Sequence, residues 1–248
     1  MSTESIREIQ GIRIGTVEYG KALDIQRFFH TRRKGNSTPD FLLLLEHDHV
    51  ITVGRRADKS HVSADKETLD NLGLQVFDTD RGGEATYHGP GQLVGYPIIN
   101  LRALSISPVK YVRILELSIV DTLNTLGIQA HLVDGETGVW VGGTPNEKRQ
   151  SGVNPGGRKI AAIGVRISDG VSMHGFALNV STDLSYFAHI IPCGMPNLAV
   201  TSVQAEIGTV ISVEDCAEII ASKVAEKLDR NLIWADLADY ELHVSNLT

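Results

Sequence analysis

The sequence predicts an α+β (mixed α/β) fold, and three observations carry that expectation. Many short apolar runs of strand length are spread along the chain. Three longer segments show helical periodicity, and they do not alternate strictly with the strands as a doubly wound parallel sheet would require. The chain has 248 residues and is 42% hydrophobic, which suits one domain over residues 1–248 with a sizeable core.

The first helix is expected from about Glu18 to Lys34, with Thr16 as a candidate cap and Gly35 as the stop. Tyr19, Ala22, Ile25 and Phe29 recur there at helical spacing. Phe41–Leu45 reads as a buried strand, and Val50–Val53 as a short strand ending at Gly54-Arg55-Arg56. Two further apolar runs, Leu74–Phe77 and Leu93–Ile99, flank a stretch dense in glycine. Ser107 followed by Pro108 is a cap with proline at the first helical position. The helix it opens carries Val112, Leu115, Ile119, Leu123 and Leu126 on one face, and Gly127 closes it.

Ile128–Val133 and Val139–Val141 read as strands. Gly142–Gly157, rich in Gly, Pro, Asn and charge, reads as a mobile loop and not as a domain linker. Lys159–Ile167 and Val171–Val180 flank Ser168-Asp169-Gly170, the clearest hairpin signal in the chain. Ser212 begins a capping-box pattern before a last helix with Val213, Ala217, Ile220 and Val224 inward.

Net charge is −7, from 23 basic and 30 acidic residues, which argues against nucleic acid as a partner. No run of eighteen apolar residues marks a membrane span. The first residues lack the apolar core of a signal peptide. The two cysteines are therefore expected as reduced thiols in a cytoplasmic protein. Cys216 falls inside the last helix and reads as a small buried residue. Cys193 lies between Pro192 and Gly194 in a segment without periodicity, where it could be a core residue or an exposed thiol. His47 and His49 are alternate residues without a third ligand, a weak zinc signal that reads as structural.

The stretch Arg81–Gln92 holds Gly82, Gly83, Gly89 and Gly91 together with Arg81 and His88. A hairpin turn needs one or two glycines, so this density suggests backbone lying against a ligand. The stretch lacks the Lys and Ser/Thr of a P-loop, and it is no dinucleotide fingerprint.

The pattern R-G-G-x-x-T-Y-H-G-P-G-Q resembles the signature of the lipoyl(octanoyl)transferases. Arg158–Val165 with Met173–Asn179 resembles that family's core strands, and Ile191–Met195 with Thr201–Val203 resembles its nucleophile loop. The similarity runs from about Tyr19 to Gly208. It implies the biotin/lipoate-protein ligase type of fold, a mixed sheet packed with helices. It also implies transfer of an octanoyl group from octanoyl-acyl carrier protein to lipoyl domains. The acceptors it implies are those of 2-oxoacid dehydrogenase complexes and the glycine cleavage H protein. Such proteins are typically acidic, so a local basic patch would have to override the net charge. Arg55, Arg56, Arg81, Arg158, Lys159 and Arg166 could form one if the fold gathers them.

By the same resemblance Cys193 is the acyl-accepting nucleophile and Lys159 its activator. The implied substrate-lining residues are Arg81, Gly82, Gly83, Glu84, Ala85, Thr86, Tyr87 and His88. Ala162, Ile163 and Gly164 of one strand, and Gly175, Phe176 and Ala177 of the next, complete the implied slot. For His88 and His174 a structural role and a chemical one stand about equal. A thioester route needs no ATP, metal or other cofactor. Glu46-His-Asp-His departs from the family at His49, where proline is frequent, and the loop before Lys159 is longer than usual. The alternatives are an ATP-dependent lipoate or biotin ligase, a lipoyl amidotransferase, and a catalytically silent binding protein.

Overall fold

The computed structural model describes residues 7–35, 38–143, 157–192, 195 and 198–240. In chain order its first elements are β1 (Glu8–Thr16), α1 (Tyr19–Arg33), β2 (Asp40–Glu46), β3 (Val50–Val53), α2 (Lys66–Asn71), β4 (Gln75–Asp78), β5 (Ala85–His88) and β6 (Gln92–Ile98). There follow α3 (Pro108–Thr125), β7 (Ala130–His131), β8 (Val139–Val141), β9 (Arg158–Ser168), β10 (Val171–Asn179), α4 (Val203–Ile207), α5 (Val213–Lys227) and β11 (Asn231–Ala235).

Among the described residues a large sheet has eight strands in the order β11-β1-β2-β6-β10-β9-β8-β7, and a small one has three in the order β4-β3-β5. Strand β1 pairs in parallel with β11 and β2, whereas β2, β6, β10 and β9 pair antiparallel in turn. Mixed pairing fits the α+β expectation, since parallel neighbours require crossovers while antiparallel ones need only turns.

Helices cover both faces of the large sheet. Leu115, Ile119 and Leu123 of α3 and Ala217, Ile220 and Val224 of α5 meet Leu42, Leu93, Ile160 and Leu178 on one face. Ala22, Ile25 and Phe29 of α1 meet Phe41, Leu43, Val94 and Met173 on the other. Strands β6 and β10 are buried along their whole length, as central strands covered on both faces must be. The β9–β10 hairpin turns through Asp169 and Gly170 with φ of 55° and 84°, the two positive values of a type I′ turn.

Several expectations are corrected. Thr16 does not cap α1; it ends β1, opposite Glu46. Glu18 precedes the helix and makes no capping bond with its side chain. Of Ile128–Val133 only Ala130–His131 is strand, because this segment forms the outer edge of the sheet and has only the short β8 to pair with. Val112 is half-buried and not in the core, since α3 is rotated to put Tyr111 and Leu115 inward. Residues 144–156 of the loop expected at Gly142–Gly157 lie outside the described residues. Among the described residues no helix is long and apolar enough to cross a membrane.

Candidate functional site

A cavity of about 420 Å³ opens where the small sheet meets β9 and β10. Its position follows from one close approach. Gly82 donates its N–H to Val165 O of β9 at 3.0 Å, which lays the glycine stretch across the large sheet. Gly164 permits this: a Cβ there would stand 2.7 Å from Gly82 O, so any larger residue would push the stretch off the strand.

The glycine stretch lines the cavity through Arg81, Gly82, Gly83, Glu84, Ala85 and Thr86, with His88 behind them. Strand β9 contributes Lys159, Ala162, Ile163 and Gly164, and β10 contributes Gly175, Phe176 and Ala177. Tyr87 is the exception. The period-two alternation of β5 turns it to the opposite face, where it is fully buried with Ile51 and Ile190. Its ring stacks on Tyr186 at 5.0 Å and its hydroxyl meets His49 Nδ1 at 2.8 Å.

Arg81 and His88 belong to a continuous polar chain. Arg81 Nη2 donates to Thr52 O at 2.7 Å and to Thr52 Oγ1 at 2.9 Å. Thr52 Oγ1 lies 3.4 Å from His88 Nε2, and His88 Nδ1 lies 2.7 Å from Gln92 Oε1. Gln92 Nε2 donates to Asn179 Oδ1 at 3.0 Å, and Asn179 Nδ2 to Thr201 O at 3.0 Å. The acceptor Oε1 assigns the His88 proton to Nδ1. Burial pushes the His88 pKa well below its ordinary value, and His47 and Arg81 add to it. His88 is therefore a neutral link in a framework.

His47 is likewise neutral, driven down to about 4 by burial, with Nδ1 donating to Val17 O at 2.8 Å and Nε2 against Tyr96 Oη at 2.7 Å. His47 and His49 do not share a face, and no cluster of His, Cys, Asp and Glu suited to a metal is found among the described residues.

His174 occupies a strained position, with φ of 56° inside β10. Its Nε2 lies 2.8 Å from Asp80 Oδ1 and its backbone N–H donates to Gln26 Oε1 at 2.8 Å. Burial lowers its pKa against the pull of Asp80.

Lys159 is 6% exposed. Its backbone is held on both sides, N–H to Ala199 O at 2.8 Å and C=O to Thr201 N–H at 3.0 Å. Its Nζ lies 5.2 Å from the centroid of the Trp140 ring, a cation–π contact. Cys193 and Gly194 lie outside the described residues. Met195 lines the same cavity as Lys159, and Pro192 lines a small recess that shares Lys159 and Ala162 with it. Cys216 is fully buried, and burial, then Asp215, pushes its thiol up to about 11, which makes it inert.

The basic residues are only partly gathered. Arg158 makes a bidentate pair with Glu206 at 3.0 Å, and Arg166 pairs with Asp80. Arg55 and Arg56 are exposed, and Arg56 lines the cavity. The sequence missed Tyr19, Tyr96, Val112 and residues 135–137 as cavity walls. Tyr19 and Tyr96 sat within apolar patterns that read as core, and 135–137 carried no motif at all.

The family model for the lipoyl protein ligase A/B catalytic domain matches residues 18–225. An octanoyltransferase of Solibacter usitatus is 45% identical over 221 residues, 89% of this chain and 93% of that protein. An octanoyltransferase of Mycobacterium tuberculosis is 44% identical over 217 residues, 88% and 86% of the two chains. Among solved structures, a lipoate-protein ligase A bound with ATP superposes with a TM-score of 0.70 at 16% identity, covering 93% of this chain and 89% of that one. A bipartite lipoate protein ligase of Thermoplasma acidophilum gives 0.69 at 16% identity, covering 93% and 87%. At such identities the structural likeness concerns the fold alone.

Proposed function

The chain belongs to the octanoyltransferase family, and we propose that it moves an octanoyl group from octanoyl-acyl carrier protein through a thioester on Cys193 to a lysine ε-amine of a lipoyl domain. The observation that carries this reading is Lys159, a buried cation that lines the cavity together with Met195 and the adjoining recess together with Pro192, the near neighbours of Cys193 in the chain. Burying the six methylenes of the chain contributes about 5 kcal/mol at about 0.8 each, and the cavity lined by Ala162, Gly164 and Gly175 is the place for them.

The steps balance without a co-reactant. The Cys193 thiolate attacks the donor's thioester carbon, the carbon–sulfur bond to the carrier breaks, and the Lys159 ammonium gives its proton to the leaving sulfur. The acceptor amine then attacks the octanoyl-enzyme, and its proton passes to the now neutral Lys159. The Cys193–carbonyl bond breaks to regenerate the thiolate. Exchange of one thioester for another is nearly isoenergetic and the amide is downhill, so neither ATP nor metal enters. A charged lysine beside the thiol is needed because a free thiol of pKa about 8.5 is only slightly ionised at neutral pH.

Intact-mass analysis after mixing with octanoyl-acyl carrier protein, without ATP, tests this. One octanoyl group should map to Cys193 and none to Cys216. An adduct that persists in Cys193→Ala, or transfer that starts only when ATP and free octanoate are supplied, would replace this reading with that of a ligase.

A further inference from the structure

Glu116 is a carboxylate on the inward face of α3, 4% exposed, with no part in the chemistry above. Sequestering a carboxylate costs several kcal/mol unless partners compensate. Its Oε1 accepts the Gly138 N–H at 3.1 Å, and its Oε2 lies 3.3 Å from Arg113 Nη1. Burial raises its pKa, while Gly138, Arg113 and Lys159 pull it back.

Gly138 is the more telling partner. It lies in the β7–β8 connection, whose residues 135–137 wall the cavity, and its φ is +117°, a conformation that side chains rarely adopt. A Cβ on Gly138 would stand 2.6 Å from Lys159 Cε, 3.2 Å from Nζ and 2.6 Å from Ala161 O. The glycine is therefore packed flush against the end of the lysine side chain, and the N–H one bond from that contact is the one Glu116 holds. The Trp140 ring also borders the ammonium. Val112, one helical turn before Glu116, lines the same cavity.

We propose that Glu116 is a positioning residue for Lys159: by holding the Gly138 N–H it fixes this glycine against the lysine stem and so sets the direction of the ammonium. The proposal rests on the reading of Lys159 as the proton carrier, and Glu116 acts only through it, without touching substrate.

Two variants separate the hydrogen bond from the charge. Glu116→Gln keeps an acceptor oxygen for Gly138 and should retain most of the transfer rate. Glu116→Ala removes the acceptor, and kcat should fall roughly a hundredfold, the scale of a misplacement of about 1 Å, with KM for the donor little changed. Introduced into Lys159→Met, the same alanine should cost almost nothing more, because residues acting through one another are not additive. A merely structural role would lower both backgrounds alike and would overturn the proposal.

A readout independent of activity is the Cε resonance of Lys159 in protein carrying ¹³C-labelled lysine, assigned by its loss in Lys159→Met. It should move in Glu116→Ala and stay in Glu116→Gln. Gly138→Ala, which leaves Glu116 in place but adds the colliding Cβ, should move it too. A resonance unmoved by both alanines overturns the proposal even if Lys159 proves essential. If the resonance moves while Lys159→Met transfers normally, the positioning stands and the assigned chemistry of Lys159 falls.

Discussion

Two polar regions border the cavity, and they are built on different terms. The Arg81–Thr52–His88–Gln92–Asn179 chain is a relay of hydrogen bonds between fixed groups, with its histidine held neutral by burial. The Lys159 region instead presents a cation against an aromatic face and a glycine α-carbon. A network of groups that hydrogen-bond one another holds shape. Lys159 brings a buried cation to the cavity wall. The contrast teaches that the histidine-bearing motif, the more conspicuous in the sequence, is framework, while the single lysine is the better candidate for chemistry.

The largest effect expected on the reactive side is that of Cys193→Ala. It should abolish the octanoyl-enzyme and lower transfer by at least roughly a thousandfold, read by intact mass and by product formation. Next is Lys159→Met, which keeps side-chain length and removes the charge. Transfer should fall about 10²- to 10⁴-fold, and thiol alkylation at neutral pH should fall less, because only transfer also needs the base. His88→Gln should leave the alkylation profile in place while lowering the melting temperature. If instead it moves the profile and Lys159→Met does not, the two regions exchange roles.

The framework should reveal itself in acid. His47 has its folded pKa pushed down to about 4 from an ordinary 6.5, so between these values the unfolded chain binds more protons than the folded one. Stability should therefore be full above about pH 6.5 and fall as the pH drops toward 4, by about 3 kcal/mol for this residue. Urea midpoints at pH 7 and pH 4.5 should separate less in His47→Gln than in the parent. An equal separation would mean that His47 is not buried neutral. The smallest effect belongs to the cavity rim. Arg56→Glu should slow acylation from the acidic carrier protein about tenfold at low salt and leave acylation from a small octanoyl thioester unchanged. Equal slowing with both donors would put Arg56 in the slot and not at a docking surface.

Much of the frame was legible because local rules wrote it. Ser107 with Pro108, Ser212 and Ser168-Asp169-Gly170 state helix starts and a turn through their own backbone chemistry, and Ser107 and Ser212 accept the N–H of Lys110 and Asp215 as expected. Strands β1 and β11 were missed for a physical reason. Gly11 and Gly15 dilute the β1 pattern, its register shifts between Arg13 and Gly15, and β11 is an edge strand with Ile233 and Trp234 exposed.

For the site, the sequence by itself determined the small residues and the functional groups. The glycine stretch, Lys159 and the β9–β10 hairpin identified the cavity-forming segments, through composition and resemblance. Only the tertiary structure decided which side chains face inward. Tyr87 turns away while Tyr19 and Tyr96, read as core, turn toward the cavity. It also decided that Glu116, 43 positions before Lys159 in the chain, holds the glycine on which that lysine rests. The reason is that strand alternation and helix rotation fix facing only once a partner surface is present. A contact between α3, the β7–β8 connection and β9 leaves no periodic trace in any one of them.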